Sequence, residues 1–128
     1  MNESMKTHGM FSWNELTTSN VNAAKSFYSE LLGWSLNDIE SPAGSYTMIS
    51  VADKEIGGIM ATPAESAGMP SAWTPYVTVD DVDARSKQAE RLGGKVLVPA
   101  TDIPEVGRFA VIQDPQGAMI NLITYLSK

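Results

Sequence analysis

The chain has 128 residues, 43% hydrophobic and 19% charged, with no cysteine and nine basic against fifteen acidic side chains, a net charge of −6. That is length for one domain with a core hiding roughly two-thirds of the unfolded surface, and it excludes disorder, disulfide staples, thiolate metal sites and cysteine nucleophiles. The acidic balance lacks the clustered positive charge that nucleic acid or an anionic membrane surface requires, so neither is an expected partner. No apolar run approaches the ~20 residues that span a bilayer, and Met1–Gly9 lacks the apolar stretch of a signal peptide; the expected address is the cytoplasm.

Met1–Gly9 has no periodicity and reads as a loose tail, with His8, the one histidine, solvated in it. Phe11, Trp13, Glu15 and Thr17 alternate with Ser12, Asn14, Leu16 and Thr18, a strand pattern. Ser19 or Asn20 offers an N-cap to a helix over Val21–Leu32, whose Ala23, Ala24, Phe27, Tyr28, Leu31 and Leu32 form one apolar stripe, and Gly33 suits the stop. Phe27 and Tyr28 are expected in the core. Strands follow over Trp34–Ile39 and around Tyr46–Val51, joined by the turn Ser41-Pro42-Ala43-Gly44, and a hairpin at Ala52-Asp53-Lys54 leads into Glu55–Ala61. Residues 62–72, with two prolines and small residues, read as a linker.

The pattern then restarts. Trp73–Val79 is strand-like, Asp80 or Asp81 caps a helix over Val82–Leu92, and Gly93-Gly94 ends it. Lys95–Val98 is a short strand, Pro99–Val106 an irregular loop or broken strand, and Arg108–Gln113 and Ala118–Tyr125 flank the turn Asp114-Pro115-Gln116-Gly117. Thr17, Val21 and Ala23 match Thr78, Val82 and Ala84 at one constant offset; after one deletion Glu30, Leu32 and Gly33 match Glu90, Leu92 and Gly93. The chain is one strand-helix-strand-strand-strand unit written twice, an α+β fold with module one at about 10–62 and module two at about 73–126. Two such units are expected to curl a mixed sheet into a cup, with helices outside and a small-molecule ligand inside.

The segment Asn20-Val21-Asn22-Ala23-Ala24-Lys25-Ser26-Phe27-Tyr28-Ser29-Glu30-Leu31-Leu32-Gly33-Trp34 resembles the FY…LGW helix of the vicinal oxygen chelate superfamily, which includes glyoxalase I, bleomycin-resistance proteins and extradiol dioxygenases. Gly107–Ala118, with its D-P-x-G turn, is similar to the second hallmark of that family. The resemblance covers about residues 10–125 and implies paired βαβββ modules and a homodimer. It also implies one divalent cation held by His, Glu or Gln on the first and last strands of each module. Counted from the motifs, those positions here are Trp13, Gly57 or Gly58, Pro75 and Asn121. Trp, Gly and Pro cannot ligate and Asn is a poor donor, so no metal is expected at that site and no cofactor is predicted.

What remains is an aromatic and methionine-lined pocket. Strand alternation puts Trp13 and Glu15 inside, with Val77, Met119 and Asn121; Tyr46, Met48, Met60, Arg108 and Phe109 complete the candidate ligand-binding set. Such a lining suits a planar or apolar molecule held by stacking and oriented by one or two hydrogen bonds. Glu15 reads two ways: a carboxylate of raised pKa acting as general base or cation binder, or a strand carboxylate paired with Arg108. Arg108 itself is an anion clamp or a surface arginine. The chain therefore reads as a metal-free small-molecule binder; the alternatives are a metal-independent lyase or isomerase with Glu15 as base, and a non-catalytic interaction protein with a vestigial cup.

Overall fold

The computed structural model describes residues 6–41, 44–63 and 68–126; the Pro42-Ala43 turn and part of the linker lie outside them. Among the described residues there are eight strands and two helices, and no helix is long and apolar enough to cross a membrane. The chain groups into two compact units. One is Asn14–Thr74; the other joins the described residues up to Trp13 with those from Pro75 onward.

The first unit contains most of β1 (Phe11–Thr18), then α1 (Val21–Leu32), β2 (Ser35–Ser41), β3 (Gly44–Val51) and β4 (Lys54–Ala61). The strands lie in the order β2-β3-β4-β1, antiparallel except for the parallel pair β4 and β1. Asn20 starts α1 because its extended backbone lets Oδ1 accept from the Ala23 amide at 3.0 Å; Gly33, at φ 70, stops it. Leu16, Ile49 and Ile59 form the core beneath α1, joined by Val21, Ala24, Tyr28, Trp34 and Leu36. The hairpin between β3 and β4 turns through Ala52 and Asp53, both at positive φ.

The apolar stripe of α1 is not buried as its spacing suggests. None of its residues is buried, and Phe27, Leu31 and Leu32 stand open to solvent. The expectation that Phe27 packs in the core is corrected: Tyr28 reaches the core cluster, while the Phe27 ring meets only the edge of Tyr28 among the ring contacts, at 5.0 Å.

The second unit contains most of β5 (Ala72–Thr78), then α2 (Val82–Arg91), β6 (Lys95–Ile103), β7 (Gly107–Gln113) and β8 (Met119–Tyr125), in the order β5-β8-β7-β6. Asp81 caps α2 as Asn20 caps α1, and Val79, Val82, Ala110 and Leu122 form the core. The strand β6 extends well past Val98. Two register shifts against β7, between Val96 and Val98 and between Val98 and Thr101, take up the stretch holding Pro99, which has no amide to donate. His8 is not loose: its Nδ1 accepts the Asp80 amide at 3.0 Å, and Gly9 donates to the Thr78 carbonyl.

Surface carboxylates are held in their charged form by basic partners. Arg85 forks onto Asp80, Nε to Oδ1 and Nη2 to Oδ2, both 2.9 Å, and these bonds bring the Asp80 carboxyl down to about 2. Lys25 and then Thr47 lower Asp38, and Arg108 lowers Asp83. A carboxyl depressed in the folded state stabilises the fold above its unfolded value of 3.8, and that stabilisation fades as pH falls towards the folded value. Thermal melts followed by circular dichroism should show Tm falling between pH 4 and pH 2, and Asp80→Asn should lower Tm at neutral pH and flatten part of that fall.

Candidate functional site

In the Asn14–Thr74 unit, strand alternation divides the side chains cleanly. Leu16, Ile49 and Ile59 face α1; Glu15, Thr17, Met48 and Met60 face the other way, with Tyr46 on the same side as Met48. The register sets Met48, Gly58 and Glu15 in one row across β3, β4 and β1. Gly58 decides what happens there. The Tyr46 ring lies over it, occupying the place where a Cβ would stand, and the Tyr46 hydroxyl donates to Glu15 Oε2 at 2.9 Å. The adjacent Gly57 serves the opposite face, where a Cβ would overlap the Asn14 carbonyl. The face carrying Glu15 is therefore a phenol–carboxylate pair bordered by two methionines, all half-buried or better.

In the second unit the register sets Tyr76, Asn121 and Val111 in one row, with Phe109 beside Ile123 and Met119 beside Gln113. Tyr76 and Asn121 are buried. Two of the candidate residues lie on the helix side; for Val77 this differs from the expectation, whereas Arg108 takes the surface position given as one of its two readings. Val77 pairs with Leu122, which packs on α2, so Val77 has the helix-facing parity and Tyr76 and Thr78 face away. By the same parity Pro75 is helix-facing, which removes it from the row that would hold an ion. Arg108 also lies on the helix side: Nε and Nη2 grip Asp83 of α2 at 2.9 and 3.1 Å, and Nη1 reaches Asp102 at 2.9 Å. These bonds hold its guanidinium protonated and engaged with Asp83 and Asp102 on the helix side. Trp13 occupies β1 two residues before Glu15, on the same side, and is half-buried.

Tyr76 was not among the candidates, yet the repeat points to it: the offset that carries Thr17 to Thr78 carries Glu15 to Tyr76. At the other end of the second unit, the Tyr125 hydroxyl bonds Ser12 Oγ at 2.9 Å; burial raises the Tyr125 pKa and this bond offsets part of the rise.

A metal of the family type does not fit this donor set. Among the described residues no three His, Cys, Asp or Glu side chains gather. Gly58 offers no donor and has no room for one, because the Tyr46 phenol fills that space. In the second unit Asn121 is a neutral amide, and in the first the Glu15 carboxylate accepts from Tyr46.

Two further hollows lie on the helix side of the first unit. One, of about 400 Å³, is lined by Lys25, Asp38, Thr47 and Glu40, where Lys25 Nζ meets Asp38 at 2.8 Å and Thr47 donates to Asp38 at 2.7 Å. The other, of about 260 Å³, is lined by Asn14, Trp34, Ile49, Ile56, Gly57 and Trp73.

Comparison with known proteins agrees with this architecture. The chain is 40% identical over 116 residues to "Putative glyoxylase CFP32" of Mycobacterium tuberculosis, covering 90% of this chain and 44% of that protein. It is 35% identical over 123 residues to the anthracycline biosynthesis protein DnrV of Streptomyces peucetius, covering 86% and 45%. The chain thus spans less than half the length of these curated relatives. Among solved structures, methylmalonyl-CoA epimerase from Mycobacterium tuberculosis shares the fold at TM-score 0.64 and 15% identity, covering 94% of this chain and 93% of that one. A hypothetical protein from Bacillus halodurans C-125 does so at TM-score 0.70 and 8% identity, covering 95% and 98%. A family model matches residues 10–122, and the chain belongs to the Glyoxalase/Bleomycin resistance protein/Dioxygenase superfamily.

Proposed function

We propose that this protein binds a small planar carbonyl or aromatic compound on the face carrying Glu15 and Tyr46, without the divalent cation of the family. The observation that carries this reading is the Tyr46–Glu15 hydrogen bond laid across Gly58. With the Tyr46 O–H committed to Glu15, the pair presents fixed acceptor oxygens that orient a ligand through its own O–H or N–H, on a surface otherwise made of Met48 and Met60, whose thioethers adapt to flat apolar ligands. A few placed polar groups in an apolar lining are what orients a small molecule. The names of the relatives agree with such ligands: one is called a glyoxylase, another acts in anthracycline biosynthesis.

The same pair favours a second reading, an enzyme in which Glu15 takes a proton from a carbon acid and Tyr46 orients the carboxylate. The two readings part on one variant. Glu15→Gln in a binder weakens binding and there is no turnover to lose; in an enzyme it leaves binding largely intact and abolishes turnover.

Tryptophan fluorescence titrations with an anthracycline and with a 2-oxoaldehyde are the direct test. Saturable binding is expected, weakened roughly 10- to 150-fold in Tyr46→Phe and Glu15→Gln, since a hydrogen bond to a charged group contributes ~1.5–3 kcal/mol. Absence of binding by both compound classes, with native mass spectra showing no carried-over ligand, would reject the reading. Gly58→Ala should displace the Tyr46 ring, destabilise the fold by ~1–3 kcal/mol in urea denaturation, and weaken ligand binding alongside. Calorimetric titration with Zn²⁺, Ni²⁺ or Mn²⁺ should show no stoichiometric heat and no rise in Tm; a one-to-one site would overturn the metal-free part of the proposal.

A further inference from the structure

In the second unit a buried polar group stands without a partner. Asn121 lies on β8, an inner strand between β5 and β7, in register with Tyr76 on one side and Val111 on the other. The residue is 6% exposed. Its carboxamide carries two N–H donors and an acceptor oxygen. Among the described residues this carboxamide has no hydrogen-bond partner. It is not sealed in either, since the enclosed side-chain atoms without partners are Thr62 Oγ1 and Ser86 Oγ. Its neighbours leave it one open side. On the same face Tyr76, Thr78 and Ile123 are buried, whereas Phe109 and Val111 are half-buried and Met119 is 40% exposed. The carboxamide therefore reaches the surface on the side of Val111, Phe109 and Met119.

We infer that Asn121 is the recognition point for a flat lactam or imide, a ring in which an N–H stands beside a C=O. A polar group that has lost most of its water and gained no partner destabilises the fold, and a ligand that supplies the partner removes that cost. Carboxamide geometry selects the ligand. Its N–H and C=O leave side by side, so a ring presenting the complementary C=O and N–H makes two bonds at once, the pairing by which asparagine reads the edge of adenine. A ketone or an ether uses half of that capacity. A carboxylate would set its charge against Oδ1, and the residues in register with Asn121 carry no charge to balance it. The walls complete the class. Phe109, diagonal to Asn121 across β7 and β8, is within reach of a ring bonded there and offers it a stacking face, and the Met119 thioether adapts to its edge. Such a site uses no residue of the Asn14–Thr74 unit and stands independently of the ligand proposed for Glu15 and Tyr46.

Calorimetric titration of the full chain with naphthalimide and with its N-methyl derivative tests this. The two probes differ in the imide N–H alone, and the unsubstituted imide should bind at least about tenfold more tightly. In heteronuclear NMR spectra it should move the Asn121 side-chain NH2 signals downfield, and the N-methyl compound should not. Asn121→Leu keeps the branched shape and removes the unpaired amide. That protein, free of ligand, should melt at a higher temperature than the wild type, and it should bind the two imides alike. Equal binding of the two imides by the wild type would overturn the inference, and so would binding of neither. An Asn121→Leu protein that melts lower, or fails to fold, would also overturn it, because the amide would then be serving the fold. A preference for the N–H imide that survives Asn121→Leu and disappears in Glu15→Gln would overturn it as well, and would put the imide on the Glu15 face instead.

Discussion

In both units the orientation of every strand side chain follows from one junction, where a strand passes through an N-cap into a helix. Asn20 and Asp81 each accept the amide three residues on, and each stands at the same distance from a helix-facing strand residue, Leu16 in one unit and Val77 in the other. Once the cap fixes where the helix begins, the helix lies against one side of the sheet. Strand pleating then assigns alternate residues to the core or to the opposite face. Leu16 with Ile59, and Val77 with Leu122, are the aligned pairs that result. Glu15 and Tyr76 are on the other face because they each lie one residue away.

The element order, both caps, Gly33 as the stop and the helix limits could be read from residue pattern, since each is set within a few residues of chain. Orientation in the second unit was harder to read. Counting from a family spacing selects Pro75 and alternation then selects Val77, whereas the internal repeat, applied to Glu15, selects Tyr76 instead. The Tyr46–Glu15 contact lay beyond any local pattern because it crosses three strands and needs a glycine between them. Periodicity marked the α1 stripe as apolar but could not say what covers it. It also stopped β6 at Pro99, where bulges let the strand continue.

Among the described residues the ion pairs lie on the helix side and at the surface. Arg85 and Arg108 are committed to carboxylates by forked bonds, and Lys25 to Asp38. Exposed pairs of this kind add little stability individually. Their consequence is spatial: Arg108 sits one strand position from Phe109 yet is drawn to α2 by Asp83. On the face bearing Phe109, Asn121 and Met119 the register leaves Lys95, at the edge of the sheet beside Gln113, as the charged strand residue.

Gly58 makes two chemical solutions mutually exclusive. A donor side chain at that position would be needed to complete an ion site of the family type, and any Cβ there collides with the Tyr46 ring. With glycine, the phenol crosses the strand and donates to the Glu15 carboxylate. A larger side chain at position 58 would therefore have to displace Tyr46 as well, and Glu15 would lose the Tyr46 hydrogen bond in the same step. A side chain at position 58 and the Tyr46 ring compete for one space, and in this chain the ring occupies it.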